Sequence, residues 1–576
     1  MSEIIRALDN FTPKQVGENG NVEHAWSNSI KEKIMQFSFQ LVRTKDYAKL
    51  ENVLRDLLQN ISLNKEERIQ QLHYLTMLYK MIGHTRDIVD GKGEYALTYM
   101  MIYIWHEFYP VLAKFALESL FYTDEQMEHP YGSLKDIKHF ANYCYTRDTN
   151  HPLISAAISI LTAQLKTDED QFVRGLNKLS LAAKWAPREK SRYKWLFHLL
   201  AQDYYPHYLE TAKSAEQLEK AKLKCYTDYR KMLSMLNIKL DTLQIKQCAN
   251  TWSDINFNHV TSISFSKQKK AFLNKTKKDE PRFPDRQDRV QCAENFTSFV
   301  TTSIKEGKEI KGKRVGMESF TRQAVELLSL SPHSADTQLQ IQLLNSQWRD
   351  NSVQTGCLGN MVSMVDVSGS MEGDPMDVAI AMGIRVADKS VLGKRVMTFS
   401  SNPKWVNLDN CDGFVSQVEV IKRAEWGMGT NFRLALKMIL DAIVENKMDP
   451  KDVQNMILVI FSDMQIDAAD SQSSETMFET ITNMYKEAGL RTHGTPYKPP
   501  HLLFWNLRST SGFPSLSSQH NTTMLSGFSP SLLNLFCEQG MEALESISPW
   551  SQLETLLENA RYDMLKTALV EYFFKI

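Results

Sequence analysis

Several features that would settle a function are missing from this chain, and each absence narrows the choice. The 576 residues include only seven cysteines. None of them forms C-x-x-C, and their number is odd. A disulfide framework or a structural zinc ribbon is therefore not expected, and a reducing compartment is. No apolar run approaches the roughly 18–20 residues that a membrane-spanning helix needs, so membrane insertion is not expected either. The opening residues MSEIIRALDNF show no basic-then-apolar leader pattern, which favours an intracellular, cytoplasmic protein. The net charge is −1, so no global charge points to nucleic acid or to an anionic surface. The phosphate-binding spacing G-x-x-x-x-G-K-[ST] and the G-x-S-x-G nucleophile elbow are both absent. His501 and His520 stand without partners for a triad. A non-enzymatic protein is the expectation, with an enzyme as the third-ranked reading.

The length suggests about three domain-sized units at roughly 100–200 residues each. Residues 1–30 are polar, contain GENGN, and read as an irregular lead-in. Residues 31–350 read as helix after helix, with apolar residues at spacings of three and four and almost no strand signature. No repeat of fixed period occurs. The expectation is an irregular all-α helical array, with a compact all-α domain as the alternative. Gly91-Lys92-Gly93 reads as a glycine turn with a solvated lysine. Ser180–His198 interleaves Lys184, Arg188, Lys190, Arg192 and Lys194 with Trp185, Tyr193 and Trp195. Cations among aromatics suit stacking on single-stranded nucleic acid; a solvated helix face explains the pattern as well. Ser264–Arg289 is the most polar stretch and reads as a basic surface loop or linker. Its Lys267, Lys269 and Lys270 are further candidates for RNA contact. Residues 1–350 have a basic surplus and the remainder an acidic one.

From Gly359 the pattern changes to apolar runs alternating with helical segments. Strands are expected at Met361–Val367, Lys394–Phe399, Trp405–Leu408, Asn455–Phe461, Leu502–Asn506 and Thr522–Leu525. Such alternation predicts a mainly parallel sheet covered on both faces, with ligands beyond the carboxyl ends of its strands. The fold class is thus an all-α array followed by a doubly wound α/β domain at 355–545, with a helix at 546–576 packing back on what precedes it. The first strand ends in D-x-S-x-S, formed by Asp366, Ser368 and Ser370. Thr430 in GMGTN and Asp463 in VIFSDMQ follow in order. One carboxylate and two hydroxyls at alternating loop positions can converge on a hard cation such as Mg²⁺.

That order, with VDVSGSM, GMGTN and FSDM, resembles the von Willebrand factor A family. The resemblance implies a metal-ion-dependent adhesion site of Asp366, Ser368, Ser370, Thr430 and Asp463. Ser368 and Ser370 would bind the ion directly, and the other three directly or through water. The cation would be Mg²⁺, with Mn²⁺ or Ca²⁺ as alternatives, and its open position would take an Asp or Glu from a protein partner. The two-part layout, with RDIVDGKGE, is similar to the Ro/TROVE RNA-binding proteins, which implies RNA as a possible partner. HTRDIVDGKGEYAL, KLSLAAKWAPREKS and CANTWSDINFNHV resemble recurring segments of an uncharacterised family of plants, fungi and giant DNA viruses. That likeness adds a virion or virus factory as a location.

Overall fold

The structure is a computed structural model that describes residues 11–63, 68–122, 129–176, 178–276, 278–424, 431–467, 475–537 and 541–574. Its eight strands are β1 (Lys14–Val16), β2 (Val22–His24), β3 (Met361–Asp366), β4 (Arg395–Phe399), β5 (Lys404–Asn407), β6 (Ile457–Ser462), β7 (His501–Asn506) and β8 (Thr522–Ser526). The last six form one sheet in the order β5-β4-β3-β6-β7-β8. All neighbours are parallel except the edge pair β4–β5. The six expected strands all stand within about two residues of their sequence positions.

Why these segments form a central sheet follows from their composition. β6 (ILVIFS) and β7 (HLLFWN) are buried along their whole length, as strands covered on both faces must be. Alternate residues serve different cores. Met364, Ile460 and Phe504 share a core with Phe432, Leu436 and Ile481 of the helices Phe432–Glu445 and Met477–His493. Val365, Val459 and Trp505 pack into a second core with Ala379 and Met382 of the helix Asp374–Lys389. The chain places β4 on one side of β3 and β6 on the other, so strand order reverses at β3. A crevice at the carboxyl end of β3 is where such a sheet binds ligands.

The α part runs from Ile30–Gln40 to Ala335–Ser352. It is not insulated from the sheet. Leu54, Leu78, Trp105, Leu117 and Phe140 belong to the same core as Met364 and Phe504. The last helix, Asp563–Phe574, packs back on Arg68–Arg86 and Pro110–Ser119. Gly83 makes room for it: a Cβ there would lie 2.9 Å from a Leu565 methyl.

Three expectations differ from what the chain does. Residues 1–30 were expected to be irregular, yet Lys14–His24 forms an antiparallel hairpin. It docks on the connection between β7 and β8 through backbone bonds between His24 and Phe513. Ser264–Arg289 is a surface loop only in part, at residues 273–276 and 278–286. It opens within the helix Ser262–Phe272, whose Phe265 and Phe272 enter a phenylalanine core with Phe257 and Phe296. The charged run masks those two rings, seven residues apart, which bind one face of the helix to the core. Lys269 is buried, and Lys275 pairs with Asp336 and Asp279. Lys92 is not solvated either. It is 6% exposed and donates to the carbonyls of Ser38 and Leu41 at 2.7 and 3.1 Å and to Ser526 Oγ at 2.6 Å. One lysine therefore ties the first helix to the end of β8. Burial pushes its ammonium down to about 7, against a weaker opposing pull from Glu94.

Candidate functional site

β3 delivers Asp366 to the carboxyl edge of the sheet and β6 delivers Ser462 and Asp463 beside it. Asp366 and Asp463 are both fully buried. Asp366 Oδ1 accepts the Ser368 backbone N–H at 2.9 Å, and Oδ2 accepts the Ser462 hydroxyl at 2.6 Å. The first bond folds the loop after β3 so that Ser368 and Ser370 bring their Oγ atoms to 3.2 Å of one another. Ser462 Oγ also accepts the Met464 N–H at 3.0 Å. That tight turn places Met464 at φ +62°, a left-handed conformation that costs a non-glycine residue about 1–2 kcal/mol. Asp463 Oδ1 accepts the Gln465 N–H at 3.0 Å.

The two acids are compensated unequally. Arg508, just beyond β7, donates Nε to Asp463 Oδ2 at 2.9 Å, and its Nη2 reaches Glu18 of the hairpin at 2.8 Å. Among the described residues, no cationic side chain pairs with Asp366. Burial, and then the charge of Asp463, push its carboxyl up to about 7 against the hydrogen bonds from Ser368 and Ser462. An all-oxygen set of two carboxylates and two hydroxyls suits a hard cation. Among the described residues no group of three or more His, Cys, Asp or Glu could hold a metal; the set here has two carboxylates, with hydroxyls as the other oxygens. The residues present fit a Mg²⁺-type ion, which Asp366, Asp463, Ser368 and Ser370 would hold. Thr430 lies outside the described residues. The next residue, Asn431, is fixed at the carboxyl end of β4 by its N–H bond to the Ser400 carbonyl at 3.0 Å.

Sequence reasoning missed Ser462, Arg508 and the hairpin. Ser462 adjoins Asp463 in the same motif and could have been found as a second hydroxyl at a strand end. The hairpin had no signal beyond two short polar runs. It meets the site's rim through Glu18 N–H to Gln465 Oε1 at 2.7 Å and Asn19 to the Gln465 carbonyl at 2.9 Å.

The cations proposed for RNA contact separate into two groups. Lys270 pairs with Glu326 at 2.8 Å. Lys269 is buried, and that burial lowers its ammonium to about 8; neither offers a free charge. Lys184, Arg188 and Arg192 instead meet Lys135 and Lys138 of the helix Lys135–Tyr145, two residues that sequence spacing could not bring in. Lys135, Lys138 and Lys184 stand 5.6, 5.1 and 5.3 Å from the Trp185 ring centre. Burial and then the charges of Lys135, Arg188 and Arg192 lower Lys138 to about 8. His139 falls to about 4 through burial and then Lys135 and Lys138. The nearby Asp136 is engaged by Arg86 at 2.7 Å. Lys267 is exposed and adds to the repulsion on Lys135. Lys190 and Lys194 are exposed on the same segment. The basic cluster therefore surrounds a half-buried tryptophan.

Residues 138–350 match the model of a family described as a domain of unknown function, DUF2828, and residues 360–566 match a second, DUF7788. The chain is similar to an uncharacterized protein, L728, of Acanthamoeba polyphaga mimivirus, with 29% identity over 499 residues. The alignment covers 83% of this chain and 78% of the viral one. The matches support a place for the chain in an uncharacterised family. They divide it near residue 355, where the α part gives way to the sheet.

Proposed function

We propose that the carboxyl edge of the sheet is a divalent-cation site of the von Willebrand factor A type, through which an intracellular scaffold protein captures a carboxylate on a protein partner. The observation that supports this reading best is Asp366: a fully buried carboxylate beside a second one, with hydroxyls converging and no cationic partner among the described residues. Leaving a buried charge unpaired is expensive, and Mg²⁺ would supply the missing charge. The ion, when bound, polarises what it holds and offers an exchangeable position to an incoming oxygen. The protein's part is to fix the donors. Asp366 is oriented by Ser368 N–H and Ser462, and Asp463 by Gln465 N–H and Arg508. Affinity purification with wild type and Asp366→Ala, in Mg²⁺ and in chelator, tests the reading. Partners retained only by wild type in Mg²⁺ support it; identical partners in all arms contradict it.

A second reading, RNA binding by the α part, is favoured by the Trp185 cluster. Three lysines set around an aromatic ring, with Arg188 and Arg192 close to Lys138, suit a phosphate backbone with a stacked base. A mobility shift with single-stranded RNA over a salt series should show a steep salt slope that Lys138→Glu flattens. A weak, salt-insensitive shift would discard it. No helix among the described residues is long and apolar enough to cross a membrane, which suits either reading.

A further inference from the structure

At the opposite end of β3 from Asp366, roughly 16 Å away at about 3.3 Å per residue, the sheet and two helices enclose a cavity of about 430 Å³. It lies between the amino ends of β3, β4 and β6, the edge strand β5, and the helices Phe432–Glu445 and Met477–His493. Five methionines line it: Met361, Met397, Met438, Met448 and Met456. Trp405 stands at its lip, 48% exposed. The volume falls in the range of about 300–1,000 Å³ that ligand sites occupy. Methionines, unbranched and polarisable, adapt their shape to an apolar guest. Water in such a space is poorly held, and an apolar group displaces it with a gain.

Three polar side chains interrupt this lining, Arg395, Asn446 and Tyr485, and Asn446 donates to the Ala442 carbonyl at 2.8 Å. Tyr485 is 0% exposed, borders the cavity, and its hydroxyl has no hydrogen-bond partner among the described residues. A buried hydroxyl without a partner is rare and destabilising in a folded protein. Arg395, the one cation bordering the cavity among the described residues, is paired with Asp409, so no described side chain there neutralises an anionic guest. Burying an uncompensated charge in an apolar site is unfavourable.

We infer that this cavity binds a small, neutral, hydrocarbon-rich molecule bearing one oxygen acceptor, which takes the hydrogen bond of the Tyr485 hydroxyl. The site is separate from the cation centre and stands whether or not that centre binds metal. The test uses the full chain and three probes. Nile red reports occupancy by its fluorescence; acetophenone and ethylbenzene share a carbon skeleton and differ by one carbonyl, and each is titrated as a competitor. Ala442 is exposed and borders the cavity, so Ala442→Trp should block the mouth with the fold intact, abolishing saturable dye binding. Tyr485→Phe should melt higher than wild type without ligand. It should also weaken acetophenone about 3- to 10-fold, the worth of one hydrogen bond, and leave ethylbenzene unchanged. Three outcomes overturn the inference. They are no displaceable dye site in wild type, dye binding by Ala442→Trp equal to wild type, or a Tyr485→Phe effect that is the same for both competitors.

Discussion

The carboxyl edge of β3 and the Trp185 cluster are opposites. One gathers acids with too little positive charge around them, and the other gathers cations with too little negative charge. At the sheet the imbalance is fully buried and every donor is held by a backbone or hydroxyl bond. At Trp185 it is half-exposed and water screens it. In the proposed reading, each imbalance is completed by a ligand, although buried structural networks can perturb charge in the same way. Depth decides how much that completion is worth and how specific it can be. The buried acids suit a single small ion in a fixed position, and the half-exposed cations suit an extended, salt-sensitive anion.

The largest effect that could break this contrast lies with Asp366. Its folded-state pKa, about 7, is raised above the ordinary carboxylate value. The folded chain therefore binds the extra proton between about pH 4 and 7. Without metal, stability should fall as pH rises through that window, by on the order of 4 kcal/mol. Above pH 7 the penalty is fully present. Denaturant melts in chelator check this, and Asp366→Asn should remove the dependence.

Arg508 sharpens the same side. Among the described residues it is the one cation bonded to Asp463, and Arg508→Met should leave two carboxylates uncompensated. The variant should melt lower in chelator and respond more strongly to Mg²⁺ than wild type. A smaller Mg²⁺ response would mean that the arginine supports cation binding instead of competing with it.

Lys92 offers a control with buried charge that is not awaiting a ligand. Its folded pKa, about 7, is lowered, so the unfolded chain binds more protons between about pH 7 and 10.5 and stability should rise across that window. Lys92→Met should remove that rise. It should cost about 1–3 kcal/mol at pH 9 by leaving the Leu41 carbonyl without its donor, while the Ser38 carbonyl keeps the Ser526 hydroxyl, and less at pH 6. The smallest effect belongs to the exposed side. Lys138→Ala should lower the salt slope of RNA binding by about one with little change in melting temperature.

The same difference in depth explains what could be read from the sequence. The sheet was legible because strands buried on both faces must be continuously apolar, as β6 and β7 are. Asp366, Ser368, Ser370 and Asp463 were legible because the ends of such strands converge and short spacing fixes which atoms meet. Lys92 misled because Gly-Lys-Gly describes a turn equally well whether protein or water covers it, and only packing on Ser38 and Ser526 decides. Lys135 and Lys138 were invisible because about fifty residues separate them from Trp185. The hairpin Lys14–His24 escaped because three-residue strands carry no periodicity to detect. The helical opening of Ser264–Arg289 was misread because the charges of the stretch outnumber the two phenylalanines that hold it.

The most direct measurement is the melting temperature of wild type and Asp366→Asn at pH 8, each in chelator and in saturating Mg²⁺. A site that completes itself with a cation predicts a rise for wild type, about 3 kcal/mol of stabilisation at a hundredfold excess over the dissociation constant, and none for the variant. Equal responses from the two proteins, or none from wild type, would contradict it.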